Sequence, residues 1–199
     1  MVCPSKLQVQ ESRFCTDSHP MLFPMYIVKV EHFISMKEAR PHQALVAEGI
    51  AVRYPTDGAV VALFVSHQWC GNSHADPNFA QLRVLQRVFM RFASGHVSVD
   101  SDIQSAALFN LRDPLRLSEL RHIRSWFMWY DYFSVPQPCV TGAPHGSSYI
   151  DLGIELGKAV DSLASYVAKC QHFVVLAPLV RHEAGHDIDY SSWKARGWC

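Results

Sequence analysis

The chain has 199 residues, of which 49% are hydrophobic, so it is long and apolar enough to fold around one sizeable core. Eighteen basic residues balance eighteen acidic residues. A formal net charge of zero excludes the overall attraction by which strongly basic proteins bind nucleic acid or anionic membranes. We therefore expect a single domain with neither nucleic acid nor a membrane as its partner.

The cysteine pattern indicates a cytoplasmic protein. Six cysteines are scattered along the chain without a CxxC pair, which is typical of reduced thiols. The apolar run 21–30 is interrupted by Pro24 and Lys29 and lacks the cleavage pattern of a secretory signal. No stretch approaches the roughly eighteen uninterrupted apolar residues that a membrane-spanning helix needs.

The first quarter of the chain contains little regular patterning. Residues 1–25 carry three prolines among polar residues and predict a loosely ordered leader, which leaves 26–199 as the folded domain. A short helix is predicted within 36–49, interrupted near Pro41. The turn-forming sequence 54–58 then leads into the first predicted strand.

Residues 60–65 are six consecutive apolar residues, and they predict a strand covered on both faces, as in a parallel sheet. Ser66, His67 and Trp69 follow this run directly. Open α/β sheets bind their ligands at the carboxyl edge of their strands. These three side chains are therefore candidate ligand-binding residues.

Apolar residues at helical spacing predict the next helix over 79–92. Arg83, Arg87 and Arg91 form a basic stripe on it, which we interpret as a solvated face. Residues 93–121 have mixed polarity and predict an insertion.

A second apolar strand is predicted over 126–130, and Asp131 and Tyr132 follow it. A helix over 154–167 and a third strand over 172–177 complete the pattern. This alternation of strands and helices predicts a doubly wound α/β fold with a mainly parallel sheet.

Four segments carry a resemblance to known families. In order they are 64–69 (Phe-Val-Ser-His-Gln-Trp), 129–137 (Trp-Tyr-Asp to Pro-Gln), 173–178 (Phe-Val-Val-Leu-Ala-Pro) and 190–199 (with Ser-Trp and a final Trp-Cys). In this order they resemble heterokaryon-incompatibility (HET) domain-like and Toll/interleukin receptor (TIR)-like proteins, especially the protist sets. The resemblance covers residues 59–199.

The resemblance implies a flavodoxin-like sheet in an intracellular signalling or defence-like protein that acts by self-association. It also implies NAD⁺ cleavage at the nicotinamide bond, so NAD is the candidate substrate, and no cofactor is certain. A purely non-enzymatic interaction module is the alternative. Cleavage passes through an oxocarbenium-like state, which needs a carboxylate, an aromatic slot and donors for phosphate.

The resemblance also suggests where a catalytic carboxylate would lie. In enzymatic TIR domains it is a glutamate near the start of the helix before the Phe-Val-Val-Leu-type strand. The equivalent position falls within 159–161, which contains no glutamate, while Glu155 lies about one turn earlier. Glu155 is thus the first catalytic candidate and Asp161 the second, although both also fit an exposed helix face.

The remaining candidate residues surround the predicted sheet edge. A carboxylate after a buried strand needs a partner, and for Asp131 the C-terminal Arg196 or Lys194 could supply it, either structurally or beside a ligand. Aromatic residues near this edge either stack on a ligand or pack. The predicted ligand-binding set is Ser66, His67, Trp69, Asp131, Tyr132 and Arg196.

A competing signal suggests a zinc hydrolase. His182, Glu183 and His186 match the HExxH pattern. The nearby Pro178 leaves little room for the required helix, and no His or Glu follows as a third ligand, so we interpret the match as fortuitous and predict no metal. A nucleophile pair of Cys70 with His67 ranks lower still.

The C-terminal segment resembles the start of a last helix that continues further in the related families. This difference fits three alternatives: a fragment, an incomplete gene model or a degenerate copy. A missing final helix would leave one apolar face of the sheet partly uncovered and would favour association.

Overall fold

The computed structural model describes residues 20–99, 115–138 and 149–196. Within them, helices and a five-stranded mixed sheet form the predicted α/β architecture, and a two-stranded hairpin lies near the end. In chain order the elements are β1 (Tyr26–Lys29), α1 (Val30–Ser35), α2 (His42–Ala47), β2 (Ala51–Arg53), β3 (Ala62–His67), α3 (Ala80–Ala93), α4 (Leu117–Leu120), a 3-10 turn (Ile123–Ser125), β4 (Phe127–Trp129), α5 (Asp131–Ser134), α6 (Tyr149–Asp161), α7 (Leu163–Lys169), β5 (His172–Leu176), β6 (Val180–Arg181), β7 (Asp187–Ile188) and α8 (Tyr190–Lys194).

The sheet has the strand order β2-β1-β4-β3-β5. β3 pairs in parallel with β4 and with β5, so the three predicted strands form the parallel part of the sheet, with β5 at its edge. β1 runs antiparallel to both β2 and β4, which makes the sheet mixed. β1 and β2 were not predicted, because four and three residues are too few for a periodic pattern to emerge.

Successive residues of β3 enter two different cores, one on each face of the sheet. Leu63 and Val65 pack with Leu85 of α3, and we call this cluster the first core. Phe64 packs with Ala159 of α6 in a second core on the other face. This burial of both faces explains why β3 lacks polar alternation, as the sequence predicted.

The predicted helix over 79–92 is α3. The fully buried Asp76 fixes its start, because the carboxylate accepts hydrogen bonds from the backbone N–H of Ala80 and Leu82, both at 2.8 Å. A carboxylate at this position satisfies N–H groups that have no partner within the helix and complements the helix dipole.

The predicted helix over 154–167 is divided into α6 and α7 by Ser162. The Ser162 hydroxyl donates to the Lys158 carbonyl (2.7 Å) and accepts the backbone N–H of Leu22 (2.8 Å) and Phe23 (3.2 Å). Phe23 and Met25 are buried in the second core, although they fall within the predicted loose leader. Residues 1–19 of that predicted leader lie outside the described residues.

Other predicted regions are described in part. The helix predicted within 36–49 is the shorter α2, which begins directly after Pro41, and Gly49 follows it with a left-handed φ of +70°. Of the predicted insertion 93–121, residues 100–114 lie outside the description, as do 197–199 at the predicted truncation. Among the helices of the described ranges, none is long and apolar enough to cross a membrane.

Candidate functional site

A cavity of about 340 Å³ opens where β3 and β4 end, at the carboxyl edge of the parallel strands. Its volume is near the lower end of the range of ligand pockets, about 300–1,000 Å³. Three tryptophans and several aliphatic residues line it together with a few polar groups. The lining residues are Phe64, Val65, Ser66, His67, Trp69, Asn72, Ser73, Trp129, Asp131, Val135, Gln137, Pro138, Leu156, Ala159, Val160, Leu163, Trp193 and Arg196.

The carboxylate of Asp131, the first residue of α5, is held by three donors. His67 Nε2 lies 2.8 Å from Oδ1, and Trp69 Nε1 donates to Oδ2 at 2.8 Å. The backbone N–H of Tyr132 donates to Oδ1 at 2.5 Å. β3 and the loop after it thus supply two side chains that orient a carboxylate at the end of the neighbouring strand.

This environment keeps the Asp131 carboxylate ionised. Desolvation alone would raise the pKa of Asp131. The pKa nevertheless lies below its ordinary value, because His67 contributes its charge and a hydrogen bond, and Trp69 and the backbone N–H of Tyr132 donate two more hydrogen bonds. An ionised carboxylate has about four acceptor positions, of which three are occupied here. The Asp131 side chain remains 32% exposed, whereas the His67 side chain is 2% exposed. One acceptor position on Oδ2 therefore remains for a ligand.

The His67 ring is fixed by stacking as well as by hydrogen bonding. It lies 4.1 Å from the ring of Tyr130 with an interplanar angle of 17°, and its Nδ1 is 3.1 Å from the carbonyl oxygen of Gln68. Burial, followed by the charge of Asp131, raises the pKa of Tyr130 well above its usual value, so the phenol stays neutral. The pair of His67 and Asp131 thus lies on an uncharged aromatic support.

Side chains of α2 hold the segment that follows Asp131. Gln43 donates from Nε2 to the carbonyl of Gln137 at 2.9 Å, and its Oε1 accepts the Gln137 N–H at 3.4 Å. The buried His42 lies with Nδ1 3.0 Å from the carbonyl of Phe133. Gln137 in turn donates to the carbonyl of Val135 at 2.8 Å. These contacts fix the polar rim of the cavity to the first half of the chain.

The C-terminal helix α8 forms another wall of the cavity. Trp193 donates from Nε1 to the Ser66 hydroxyl at 3.1 Å, and Ser192 Oγ lies 3.1 Å from both side-chain polar atoms of Gln68. The start of α8 is capped by Asp189, whose carboxylate accepts the N–H of Ser192 at 2.9 Å. The wall is therefore attached to the end of β3 through polar contacts.

An aromatic stack lies across the three parallel strands on the side of the second core. The rings of Phe64 and Trp129 are 4.4 Å apart, and those of Phe64 and Phe173 are 5.3 Å apart, both nearly parallel. Leu156 and Leu163, from α6 and α7, line the cavity on the same side. The apolar part of the cavity is thus built by residues more than 90 positions apart in the chain.

The structure brings most of the predicted ligand-binding residues together. Ser66, His67, Trp69, Asp131 and Arg196 all line the cavity. Ser66 and His67 are the last residues of β3 rather than the start of a loop. The side chain paired with the Asp131 carboxylate is His67.

Tyr132, the sixth predicted residue, is buried and does not contribute to the cavity lining. Its ring packs edge-on against Trp69, with centroids 5.8 Å apart. It therefore supports the cavity from behind.

The two predicted catalytic carboxylates lie elsewhere. Glu155 and Asp161 are exposed on α6 and do not line the cavity, whereas Leu156, Ala159 and Val160 of the same helix do. The helix turns its apolar side towards the cavity and its acids towards solvent. Asp131 is the carboxylate of the cavity.

The HExxH segment forms the turn between β6 and β7, not a helix. The rings of His182 and His186 stack at 4.5 Å, and Glu183 accepts the backbone N–H of Asn72 at 2.5 Å. A Cβ on Gly71 would lie 2.6 Å from Glu183 Oε2, so the glycine allows this close approach. Within the described ranges, no group of three or more His, Cys, Asp or Glu residues is placed to hold a metal ion.

Cys70 is a buried thiol with no nucleophilic character. Burial, followed by the charge of Asp76, raises its pKa to about 12, although a hydrogen bond from Gln81 opposes this. Gln81 Nε2 lies 3.0 Å from the sulfur. The thiol therefore remains protonated at neutral pH, which disfavours the nucleophile pair with His67 that the sequence analysis ranked lowest.

Sequence patterns missed the cavity residues that come from distant elements. Asn72, Ser73 and Pro138 lie in loops without a distinguishing motif, and the apolar residues of α6 and α7 are indistinguishable from core residues by periodicity. Trp193 lies within the C-terminal segment used for the family resemblance, but it was not among the six predicted ligand-binding residues. No family model, no curated protein and no solved structure matches this chain.

Proposed function

We propose that the strand-edge cavity binds NAD⁺ and cleaves it at the nicotinamide bond, in a cytoplasmic signalling or defence-like domain of TIR or HET type that self-associates. The observation that carries this proposal is the Asp131 carboxylate, held ionised beside an aromatic cavity with one acceptor position open. A flavodoxin-like sheet would account for the parallel strands β4, β3 and β5 with helices on both faces. The antiparallel strands β1 and β2, at the other side of the sheet, depart from a flavodoxin-like arrangement.

A fixed carboxylate suits glycoside chemistry at a pyridinium ribose. As the bond breaks, the ring leaves as neutral nicotinamide with the bonding electron pair and positive charge develops on the ribose. An ionised carboxylate stabilises this charge most when it needs no reorganisation. A water molecule then adds to C1′ of the ribose and releases a proton, which gives ADP-ribose. The three donors on Asp131 supply this preorganisation. His67 and Trp69 are positioning residues in this proposal, because they act through Asp131.

The other lining residues fit the two ends of such a substrate. The tryptophans and Phe64 offer flat faces for a heteroaromatic ring. Arg196 also lines the cavity and is suited to a phosphate oxygen, which guanidinium groups bind through paired hydrogen bonds. The volume is sufficient for one ring with its sugar, which places the reacting half of the dinucleotide inside.

The test is nicotinamide release from NAD⁺ by the full chain, measured by chromatography over a range of protein concentrations. We expect Asp131→Asn to lower the rate by about 100-fold or more, because the side chain keeps its shape and loses its charge. Asp161→Asn makes the same change on the exposed face of α6 and should leave the rate unchanged, as should Glu155→Gln. Equal rates for wild type and Asp131→Asn would overturn the role of Asp131.

The second candidate is a non-enzymatic module that binds through the same cavity. The observation that favours it is the position of Glu155 and Asp161, both exposed on α6 and outside the cavity. Saturable binding of NAD⁺ without nicotinamide release, at concentrations where the chain associates, would establish this alternative.

A further inference from the structure

Two of the tryptophans that line the strand-edge cavity are supported by tyrosines. The rings of Trp69 and Tyr132 are 5.8 Å apart at an interplanar angle of 87°, and those of Trp193 and Tyr190 are 5.6 Å apart at 19°. Both tryptophans line the cavity, whereas neither tyrosine does. The tyrosines therefore lie behind the indoles, and the opposite side of each indole is available to a ligand.

Hydrogen bonds from the indole N–H groups hold these two rings in place. Trp69 donates to Asp131 at 2.8 Å, and Trp193 donates to Ser66 at 3.1 Å. An indole N–H lies in the plane of its ring, so these bonds leave the π faces unoccupied. A tryptophan face carries partial negative charge and is the aromatic surface that attracts cations most strongly. The cavity thus combines fixed π faces with a carboxylate.

The Asp131 carboxylate is the more exposed member of its pair with His67. The Asp131 side chain is partly exposed, whereas the His67 side chain is almost fully buried. A ligand in the cavity therefore meets the negative charge of Asp131, and the imidazole lies behind it. Quaternary ammonium groups bind where aromatic faces surround them. Such a group has no N–H donor, so it needs negative charge and π faces rather than several hydrogen-bond acceptors.

A positively charged group lines the same cavity. Arg196 is exposed, which places its guanidinium at the solvent side of the cavity. A guanidinium repels a lone cation, but it pairs with a phosphate through two parallel hydrogen bonds. The lining therefore offers negative charge at Asp131 and positive charge at Arg196. This combination favours a ligand that carries a permanent cation and a phosphate on one small molecule.

We propose that the strand-edge cavity binds phosphocholine, with the trimethylammonium group against Trp69, Trp193 and Asp131 and the phosphate on Arg196. The cavity volume of about 340 Å³ is suited to a ligand of this small size. The inference goes beyond the proposed function, because it shares the cavity with NAD⁺ cleavage but uses none of the reaction. Phosphocholine occurs as a free compound and as the headgroup of choline lipids, and the test separates these two sources.

The first measurement asks whether the cavity recognises charge or only methyl groups. Choline is compared with dimethylbutanol, its neutral analogue in which carbon replaces the nitrogen, by titration calorimetry on the full chain. The two molecules have nearly the same shape, so their difference in affinity reports the cation alone. We expect the wild type to bind choline about tenfold more tightly than dimethylbutanol. Phosphocholine should bind more tightly than choline, because Arg196 adds its contact to the phosphate.

Three variants then assign the contacts. Asp131→Asn keeps the shape of the side chain and removes its charge, and Trp193→Leu keeps an apolar side chain and removes a π face. Each should lower the affinity for choline and phosphocholine by about tenfold, and each should leave the affinity for dimethylbutanol nearly unchanged. Arg196→Gln should remove only the advantage of phosphocholine over choline.

Matched controls make the same changes away from the cavity. Asp161→Asn removes a carboxylate from the exposed side of α6, and Trp126→Leu removes a tryptophan that packs in the first core. Neither residue lines the cavity, so both variants should bind phosphocholine like the wild type. Circular dichroism verifies the fold of each variant. The comparison of choline with dimethylbutanol needs no variant, so it tests the proposal even where a substitution prevents folding.

Sedimentation with phosphatidylcholine vesicles separates the two sources. Vesicle binding that soluble phosphocholine abolishes would identify a lipid headgroup, whereas binding of soluble phosphocholine alone would identify the free compound.

Equal wild-type affinities for choline and dimethylbutanol would overturn the proposal, and so would a phosphocholine affinity that Asp131→Asn leaves unchanged. Nicotinamide release without phosphocholine binding would overturn this inference and leave the proposed function intact. Phosphocholine binding without nicotinamide release would do the reverse, so the two proposals fail independently.

Discussion

The bond from Trp69 to Asp131 can be tested by replacing Trp69 with phenylalanine. The change removes the Nε1 donor that lies 2.8 Å from Oδ2 and keeps an aromatic ring near Tyr132. A hydrogen bond to a charged group contributes about 1.5–3 kcal/mol, and the partial exposure of Asp131 favours the lower end. We expect the free energy of unfolding to fall by about 1.5 kcal/mol at neutral pH, in addition to any loss from the smaller ring.

The pH dependence identifies the carboxylate as the source of this loss. The pKa of Asp131 is lower in the folded chain than in the unfolded one, so its contribution is complete above the unfolded pKa of about 3.9. The contribution disappears as the pH falls through the lower, folded pKa. The Trp69→Phe deficit should therefore shrink in this acidic window, towards about 0.5 kcal/mol, the lower end of the range for a neutral hydrogen bond.

The assay is urea unfolding at a series of pH values from neutral to acidic, followed by circular dichroism. Trp129→Phe is the matched control, because Trp129 Nε1 is buried and has no hydrogen-bond partner among the described residues. That variant should lose stability through packing alone, by the same amount at every pH. A Trp69→Phe deficit that does not change with pH would refute the argument that Trp69 acts on an ionised Asp131.

Two further predictions concern contacts that attach distant segments. Ser162→Ala removes the acceptor of two backbone N–H groups, those of residues 22 and 23. The free energy of unfolding should therefore fall by about 2–4 kcal/mol, which calorimetry would record as a decrease in Tm of roughly 4–16 °C. A change below about 0.5 kcal/mol would contradict this prediction. Gly71→Ala introduces a Cβ 2.6 Å from Glu183 Oε2 and 2.8 Å from Pro77 Cγ. The Glu183 side chain is the more flexible of these two neighbours, so we expect it to move and to release the N–H of Asn72. Hydrogen exchange of residues 180–188 should then quicken while that of β3 stays the same, and unchanged exchange in the hairpin would show that Glu183 does not anchor it.

The parallel part of the sheet was predictable because its signals are local. An apolar run such as 60–65 identifies a buried strand by itself, and the polar residues that follow identify its edge. This is why Ser66, His67 and Asp131 could be placed near one another before any coordinates. β1 and β2 could not be predicted, since their strand character depends on pairing with residues far away in the sequence.

The chemistry of the site was less predictable than its location. A resemblance can suggest that a helix carries a catalytic carboxylate, but the direction of each side chain depends on which face of α6 packs against the sheet. Leu152, Leu156 and Ala159 face inward, and this leaves Glu155 on the solvent side. The same uncertainty applies to the HExxH segment, whose helical spacing has no meaning within a hairpin turn.

The cavity is stabilised differently from the sheet that carries it. The strands are held by the two apolar cores, whereas the wall formed by α8 is attached through Ser192 to Gln68 and through Trp193 to Ser66. Trp193 is buried but belongs to neither core. Because these polar attachments contribute less free energy than core packing, we expect this wall to detach at a lower free-energy cost than unfolding of the sheet requires. A ligand held between Trp193 and Asp131 would stabilise the wall as well as occupy the cavity, which would couple binding to the attachment of α8.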